Sequence, residues 1–404
     1  ELMYRFTVLD SPVINAFALP GGYIYITRGL MAYLSSEAEL AAVLGHEIGH
    51  VTARHGVRQQ SASQVANLGY MIGSILFPEL RAAPVHELYN LLGGALLSGY
   101  GREHELESDG LGAEYLARSG YDPKAMIEVI RVLKDQEIFS AAQAKKQGRE
   151  IESYHGLFAS HPDNDTRLHE VVATAEAFAK GRKGKILRSE YLTQIDKMTY
   201  ADSEEQGIRS GRHFYHLPMK FTLSFPKGWQ INNKADSLQA ISNGGKALIE
   251  MGAMDLNRKL SPKEFIKHRL KIDDLRAGRT LNVGGLQAYT GLFDVKDKVV
   301  RVAVVYLHKQ AFTFFASTKK QQLFSQFDND FLATIKSLHK LQKSEYSLAK
   351  ALQIETVMVG KNDNYKAWAK KSRISNSPLM ALRLLNGHYP DGELSVGQKA
   401  KRIK

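Results

Sequence analysis

The sequence predicts a multidomain chain: a mostly α N-terminal domain with a small edge sheet, an α+β domain built on an antiparallel sheet, and a short mixed tail. Three observations carry this expectation. Helix-period segments dominate residues 1–180, period-2 alternation sets in from about Leu217, and residues 181–216 between them are basic and polar. The expected divisions are therefore 1–180, a connector over 181–216, an accessory domain over 217–341 and a last segment over 352–404. With 404 residues, 44% of them hydrophobic, the chain is long enough to bury more than one core.

Taken in order, residues 4–9 and 13–19 read as strands, and Pro20-Gly21-Gly22 turns the chain into a third over 23–27. A helix follows through Leu40–Arg54, with Ser36 and Glu39 as its capping box and Gly56 just past its end. A second runs from Arg102 to Leu116 and is ended by Gly120 and the turn Tyr121-Asp122-Pro123. The intervening residues 57–100 are rich in Gly, Ala and Leu and carry Pro78 and Pro84; they read equally as a lid or as packing. Residues 123–136 and 167–180 are further amphipathic helices, the first capped by Asp122 with Pro123 at its first position.

The first helix contains His46, Glu47 and His50 in the order H-E-x-x-H. At 3.6 residues per turn the two imidazoles fall about 40° apart and one turn apart along the axis, so both project to one point, the geometry of a bidentate metal clamp. Glu47 lies about 60° round from His50, towards the apolar stripe, beside the metal without being its ligand; that suits a base acting on water. A zinc site that does chemistry needs a third protein ligand and one further position. Glu105 is the candidate for the ligand, and Asp109, one turn on, for orienting an imidazole. Glu103, Glu107 and Glu114 read as solvated surface. A strand beside such a helix offers unpaired backbone groups on which an extended peptide can be laid.

The pair H-E-I-G-H (46–50) and E-L-E-S-D (105–109), the preceding stretch from Val13 to Leu30, and the later His161-Pro-Asp-Asn-Asp-Thr-Arg167 resemble the gluzincin metalloprotease family that contains HtpX, the CAAX prenyl endopeptidase and BepA. The resemblance spans about residues 4–180. It implies a zincin-like (gluzincin) fold, one Zn2+ per chain held by His46, His50 and Glu105 rather than Glu107, and Glu47 as general base of a zinc endopeptidase. It also implies that His161 approaches the metal at rest, with that ring or Arg167 stabilising an oxyanion during catalysis. Ser108 departs from the Ala usual at its place in the family motif and leaves both acidic positions intact. The implied substrates are polypeptides, unfolded or misassembled envelope proteins, in a periplasmic or envelope-associated setting. The alternative is a non-catalytic, chaperone-like or peptidoglycan-binding envelope protein that retains the protease fold.

The remaining chain is less specific. Strands are expected at 220–225, 247–253, 287–293 and in one long run over 299–317, with helices at 262–271 and 328–341; this domain resembles PsbP-type domains. Residues 352–404 resemble a divergent LysM module, which implies peptidoglycan as a partner, although the G-D-T near the start of such modules is not intact. From Leu341 to Lys404 there are 12 Lys and Arg against 5 Asp and Glu, a basic tail that suits an anionic surface or simply a solvated face. No nucleic-acid-binding fold accompanies the charge, so nucleic acid is not expected as a partner. Cys is absent, which removes disulfides and thiol chemistry. The apolar stretches near 65–77 and 88–100 are short and interrupted, so no transmembrane span is expected. The chain opens on Glu1 with strand-like sequence at once, and a signal peptide is expected to precede it in the natural protein.

Overall fold

The computed structural model describes residues 2–60, 100–146, 164–179, 181, 183–234, 236–256 and 259–404. The chain divides into two compact units: one holds Asp202–Ala351 with the short stretch Ala144–Glu150, and the other holds the remainder, including Leu352–Lys404.

The first unit opens with a three-stranded sheet in the order β1-β3-β2, of β1 (Arg5–Leu9), β2 (Ala16–Leu19) and β3 (Tyr23–Thr27). Strand β1 runs parallel to β3 and β2 antiparallel. Thr27 ends the sheet and caps α1 (Arg28–Tyr33), its hydroxyl accepting from Leu30 N. Helix α2 (Glu37–Thr52) begins where Ser36 Oγ accepts from Glu39 N at 3.2 Å, while Glu39 reaches back to Ser35 N at 2.7 Å; such a cap contributes about 1 kcal/mol. Gly56 does not end this helix. Arg54 takes the left-handed backbone conformation instead, φ 55°, and Gly56 falls inside the next short helix, α3 (His55–Gln60).

Helices α4 (Arg102–Arg118), α5 (Ala125–Lys146) and α6 (Asn164–Ala179) follow. Helix α5 starts after a turn in which Asp122 Oδ1 accepts from Lys124 N, and it runs ten residues past the expected end at Gln136. Small residues decide how close α2 and α4 come. A Cβ on Gly49 would sit 3.1 Å from Ser108 Cα, and one on Gly112 3.1 Å from His46 N. That contact explains why position 108 is small, Ser here, and it brings the two helix backbones together face to face.

Residues 181–201, expected as part of a connector, are structured: α7 (Arg188–Gln194) packs Tyr191 and Leu192 into the same core as Leu34 and Ala38, and β4 (Thr199–Tyr200) pairs with β16 (Leu352–Met358). Residues 352–404 continue through α10 (Tyr365–Lys371), α11 (Pro378–Leu385) and β17 (Lys399–Ile403), which lies antiparallel to β16. They share the first unit's core through Ile354, Tyr365, Leu382 and Leu385. Lys401 is fully buried, and its ammonium donates to the carbonyls of Ala32 and Leu34 at 2.8 Å each, closing the end of α1. Burial pushes its pKa down to about 7, against the pull of Glu39.

The second unit carries a seven-stranded sheet in the order β11 (Arg276–Thr280), β12 (Ala288–Val295), β13 (Lys298–Leu307), β14 (Gln310–Thr318), β10 (Ala247–Asp255), β9 (Leu238–Ile241), β8 (Gln230–Asn233), and a four-stranded one in the order β15 (His339–Lys340), β7 (Phe221–Ser224), β6 (His213–His216), β5 (Ile208–Ser210). The run expected as one strand over 299–317 is a hairpin of β13 and β14, turned at His308, φ 57°. The polar break His308-Lys309-Gln310 contains no Gly, Pro, Asn or Asp, so none of the usual turn residues marks it. One sheet face is covered by α8 (Pro262–His268), whose Phe265 packs against Val302 and Val304, and the other by α9 (Phe324–Lys336) with Phe331 and Ile335. Among the described residues no helix is long and apolar enough to cross a membrane.

Candidate metal centre

The close approach of α2 and α4 brings three buried donors to one point. His46 Nε2 and His50 Nε2 are 2.9 Å apart, His46 Nε2 lies 3.5 Å from Glu105 Oε2, and His50 Nε2 lies 3.5 Å from Glu105 Oε1. A tetrahedral zinc with bonds of about 2.0–2.1 Å places its ligand atoms roughly 3.3–3.5 Å apart. Two imidazole nitrogens and one carboxylate oxygen are also zinc's preferred donor types, so the residues present fit the ion.

Both imidazoles are held from behind. On one side His46 Nδ1 meets Asp109 Oδ1 at 2.8 Å, and Arg167 grips Asp109 with two bonds of 2.8 Å, from Nε to Oδ2 and from Nη2 to Oδ1. Arg167 Nη1 also lies 3.2 Å from Glu105 Oε2. Burial works against both charges of this pair, but Arg167 and then His46 hold the Asp109 carboxyl well below the usual carboxylate range, and Asp109 and Glu105 raise the Arg167 pKa. On the other side His50 Nδ1 lies 2.8 Å from His55 Nδ1, His55 Nε2 lies 3.1 Å from Glu107 Oε2, and Arg58 donates to the same oxygen at 2.7 Å. Tyr100 stacks on His50 with ring centroids 4.0 Å apart. Burial, with the charges of Glu47 and Glu105, pushes the Tyr100 phenol up to about 12.

Glu47 is 1% exposed and borders a cavity of about 20 Å3 lined by His46, Met126, Val129, Ile130 and Arg167. That volume admits about one water. Apolar side chains of α5 and the Arg167 guanidinium of α6 line it, which leaves the carboxylate in a buried, strongly polarised corner.

Of the residues singled out in the sequence, His46, Glu47, His50, Glu105, Asp109 and Arg167 are all buried here. His161 and most of residues 57–100 lie outside the described residues. Each nitrogen of Arg167 faces Asp109 or Glu105, at the back of the site. Glu103 and Glu114 sit on the outer face of α4, with Glu114 paired to Arg118 at 3.3 Å. Glu107 is part-exposed yet bound to His55, so it is more than solvated surface. Sequence reasoning passed over His55. Five residues after His50 it falls on the wrong side of a continuous helical wheel, and only the break at Arg54 returns it to the ligand.

Comparison with known proteins agrees with this geometry over part of the chain. Residues 1–175 match the model of Peptidase family M48. Over 173 residues the chain is 34% identical to the beta-barrel assembly-enhancing protease of Yersinia pestis, a stretch that is 41% of this chain and 33% of that protein. It is also 33% identical over 124 residues to the mitochondrial metalloendopeptidase OMA1 of Arabidopsis thaliana, covering 30% of this chain and 24% of the other. The chain thus spans a third or less of the length of these relatives. Among solved structures, cyanobacterial PsbP from Synechocystis aligns with 33% of this chain and 94% of its own, at 12% identity and a TM-score of 0.27, too low to establish a shared fold.

Proposed function

We infer that this chain, a member of peptidase family M48 through residues 1–175, is a zinc-dependent endopeptidase. The observation that carries the inference is the convergence of His46 Nε2, His50 Nε2 and a Glu105 carboxylate oxygen within 4.8 Å of one another, all buried, with Glu47 beside them. Held by these three residues, one zinc supplies Lewis acidity that polarises a scissile carbonyl and acidifies water. Glu47 takes the proton of the attacking water and delivers it to the amine nitrogen as the C–N bond breaks. Asp109 fixes the tautomer and plane of His46.

Arg167 acts in this scheme through Asp109 and Glu105, one or the other of which each of its three nitrogens faces. His161, if it approaches the metal, enters from outside the described residues. The substrate class we propose is unfolded or misassembled polypeptide of the cell envelope, by similarity to relatives named for β-barrel assembly. For residues 352–404 we propose completion of the catalytic unit in place of independent glycan binding, because their apolar side chains and Lys401 are spent on its core. The test is metal analysis of the purified protein together with cleavage of an unfolded envelope protein. One zinc per chain and chelator-sensitive cleavage are expected; a metal-free, inactive protein would return the chain to the chaperone-like alternative.

A further inference from the structure

We propose that His55 is a positioning residue of the metal centre, the middle of a relay His50–His55–Glu107 that fixes the second histidine ligand as Asp109 fixes the first. The proposal rests on reading His46, His50 and Glu105 as a zinc site.

The argument is one of proton placement. His50 presents Nε2 to His46 and Glu105, so as a neutral ligand it carries its proton on Nδ1. That N–H points at His55 Nδ1, 2.8 Å away, which must offer a lone pair. The His55 proton therefore sits on Nε2, where Glu107 Oε2 accepts it at 3.1 Å. A doubly protonated His55 would set N–H against N–H, so only this tautomer satisfies both rings. His55 has no exposed surface.

The planes of the rings are fixed as well. Tyr100 stacks on His50 at 4.0 Å, and His104 stacks on His55 at 4.3 Å with the planes 20° apart. Ser108 Oγ, on the helix that carries Glu105, lies 3.3 Å from the same His55 Nδ1. Arg58 holds Glu107 at the far end. Two ligands of one metal are thus braced by different chemistry: a buried carboxylate behind His46, an imidazole and a part-exposed carboxylate behind His50.

The experiment is a zinc dissociation constant, measured by chelator competition on the purified full chain, for wild type and for His55→Leu, His55→Asn, His55→Gln and Glu107→Gln, with thermal melts of each metal-free protein. Leu removes the acceptor, and affinity is expected to fall about 10–100-fold, the usual cost of losing a partner behind a metal ligand. Asn places its Oδ1 near the Nδ1 position and is expected to recover most of the loss; Gln, whose oxygen reaches further, is not. Glu107→Gln, which keeps an acceptor for His55, is expected to cost only a few-fold. Wild-type affinity in His55→Leu, or equal losses in Asn and Leu, would overturn the relay. If His55→Leu does not fold, the Asn against Gln contrast decides. A wild-type chain that binds no zinc would instead bring down the metal site itself, and the relay with it.

Discussion

Each unit of the molecule buries an arginine against an aspartate, and the two pairs behave differently. In the second unit Arg301 of β13 is 4% exposed, binds Asp328 of α9 through Nε and Nη2, and spends Nη1 on Thr290 Oγ1 at 3.0 Å. One cation meets one anion, and the pair ties sheet to helix. In the first unit Arg167 faces three buried carboxylates: Asp109, Glu105 and Glu47. With all three ionised, the guanidinium would balance one of their charges, and a zinc ion held there would balance the other two. A buried ion pair alone is therefore no mark of a site. Three carboxylates gathered beside two convergent imidazoles are one.

The contrast can be broken experimentally. Its strongest test is Glu47→Gln, which removes the one carboxylate that is assigned neither to the metal nor to an imidazole. Peptide cleavage should fall about 10³-fold, a general-base effect, while metal analysis still finds one zinc per chain. Loss of the zinc would move Glu47 into the ligand set.

Next in size are the arginines. Arg167→Leu uncovers buried charge and should cost the metal-free protein about 3–5 kcal/mol in denaturant unfolding, with zinc restoring part of it because the ion supplies the missing positive charge. Arg301→Leu should cost about 2–3 kcal/mol, less because the Asp328 side chain is 25% exposed, and zinc should restore none of it. Equal responses to zinc would erase the distinction between the two pairs.

A smaller effect is expected at Lys401, a buried cation with no surplus of anions around it. Lys401→Met strips the donors from the Ala32 and Leu34 carbonyls and should cost about 1–3 kcal/mol. The folded-state pKa of about 7 lies below the ordinary 10.5, so the unfolded chain binds the proton more tightly. Stability from this group therefore rises with pH between about 7 and 10 and is flat below. Melts of wild type against Lys401→Met across that window should converge at lower pH; parallel curves would show that Lys401 stays charged. Smallest of all, Arg118→Ala breaks an exposed pair with Glu114 on α4 and should shift stability by no more than about 0.5 kcal/mol.

The sequence by itself determined what depends on spacing within one element. Helical period puts His46 and His50 on one face and Glu105 and Asp109 on another, and alternation with turn residues marks β1, β2 and β3 to within a few residues. Where the chain departs from a simple period, the reading stops. The hairpin at His308 reads as one strand because its turn, His308-Lys309-Gln310, carries none of the usual turn residues, and His55 escapes the helical wheel because a left-handed residue at Arg54 resets the phase. Partnerships across hundreds of residues were decided only in the tertiary structure. Lys401 closes α1 from the far end of the chain, residues 181–201 and 352–404 build the same core as the helix of His46 and His50, and Arg167 meets Asp109 as its clamp. Charge type and period are local properties written in order along the chain, whereas burial, which sets what each charge costs and whom it must pair with, exists only once distant segments have excluded water from one another.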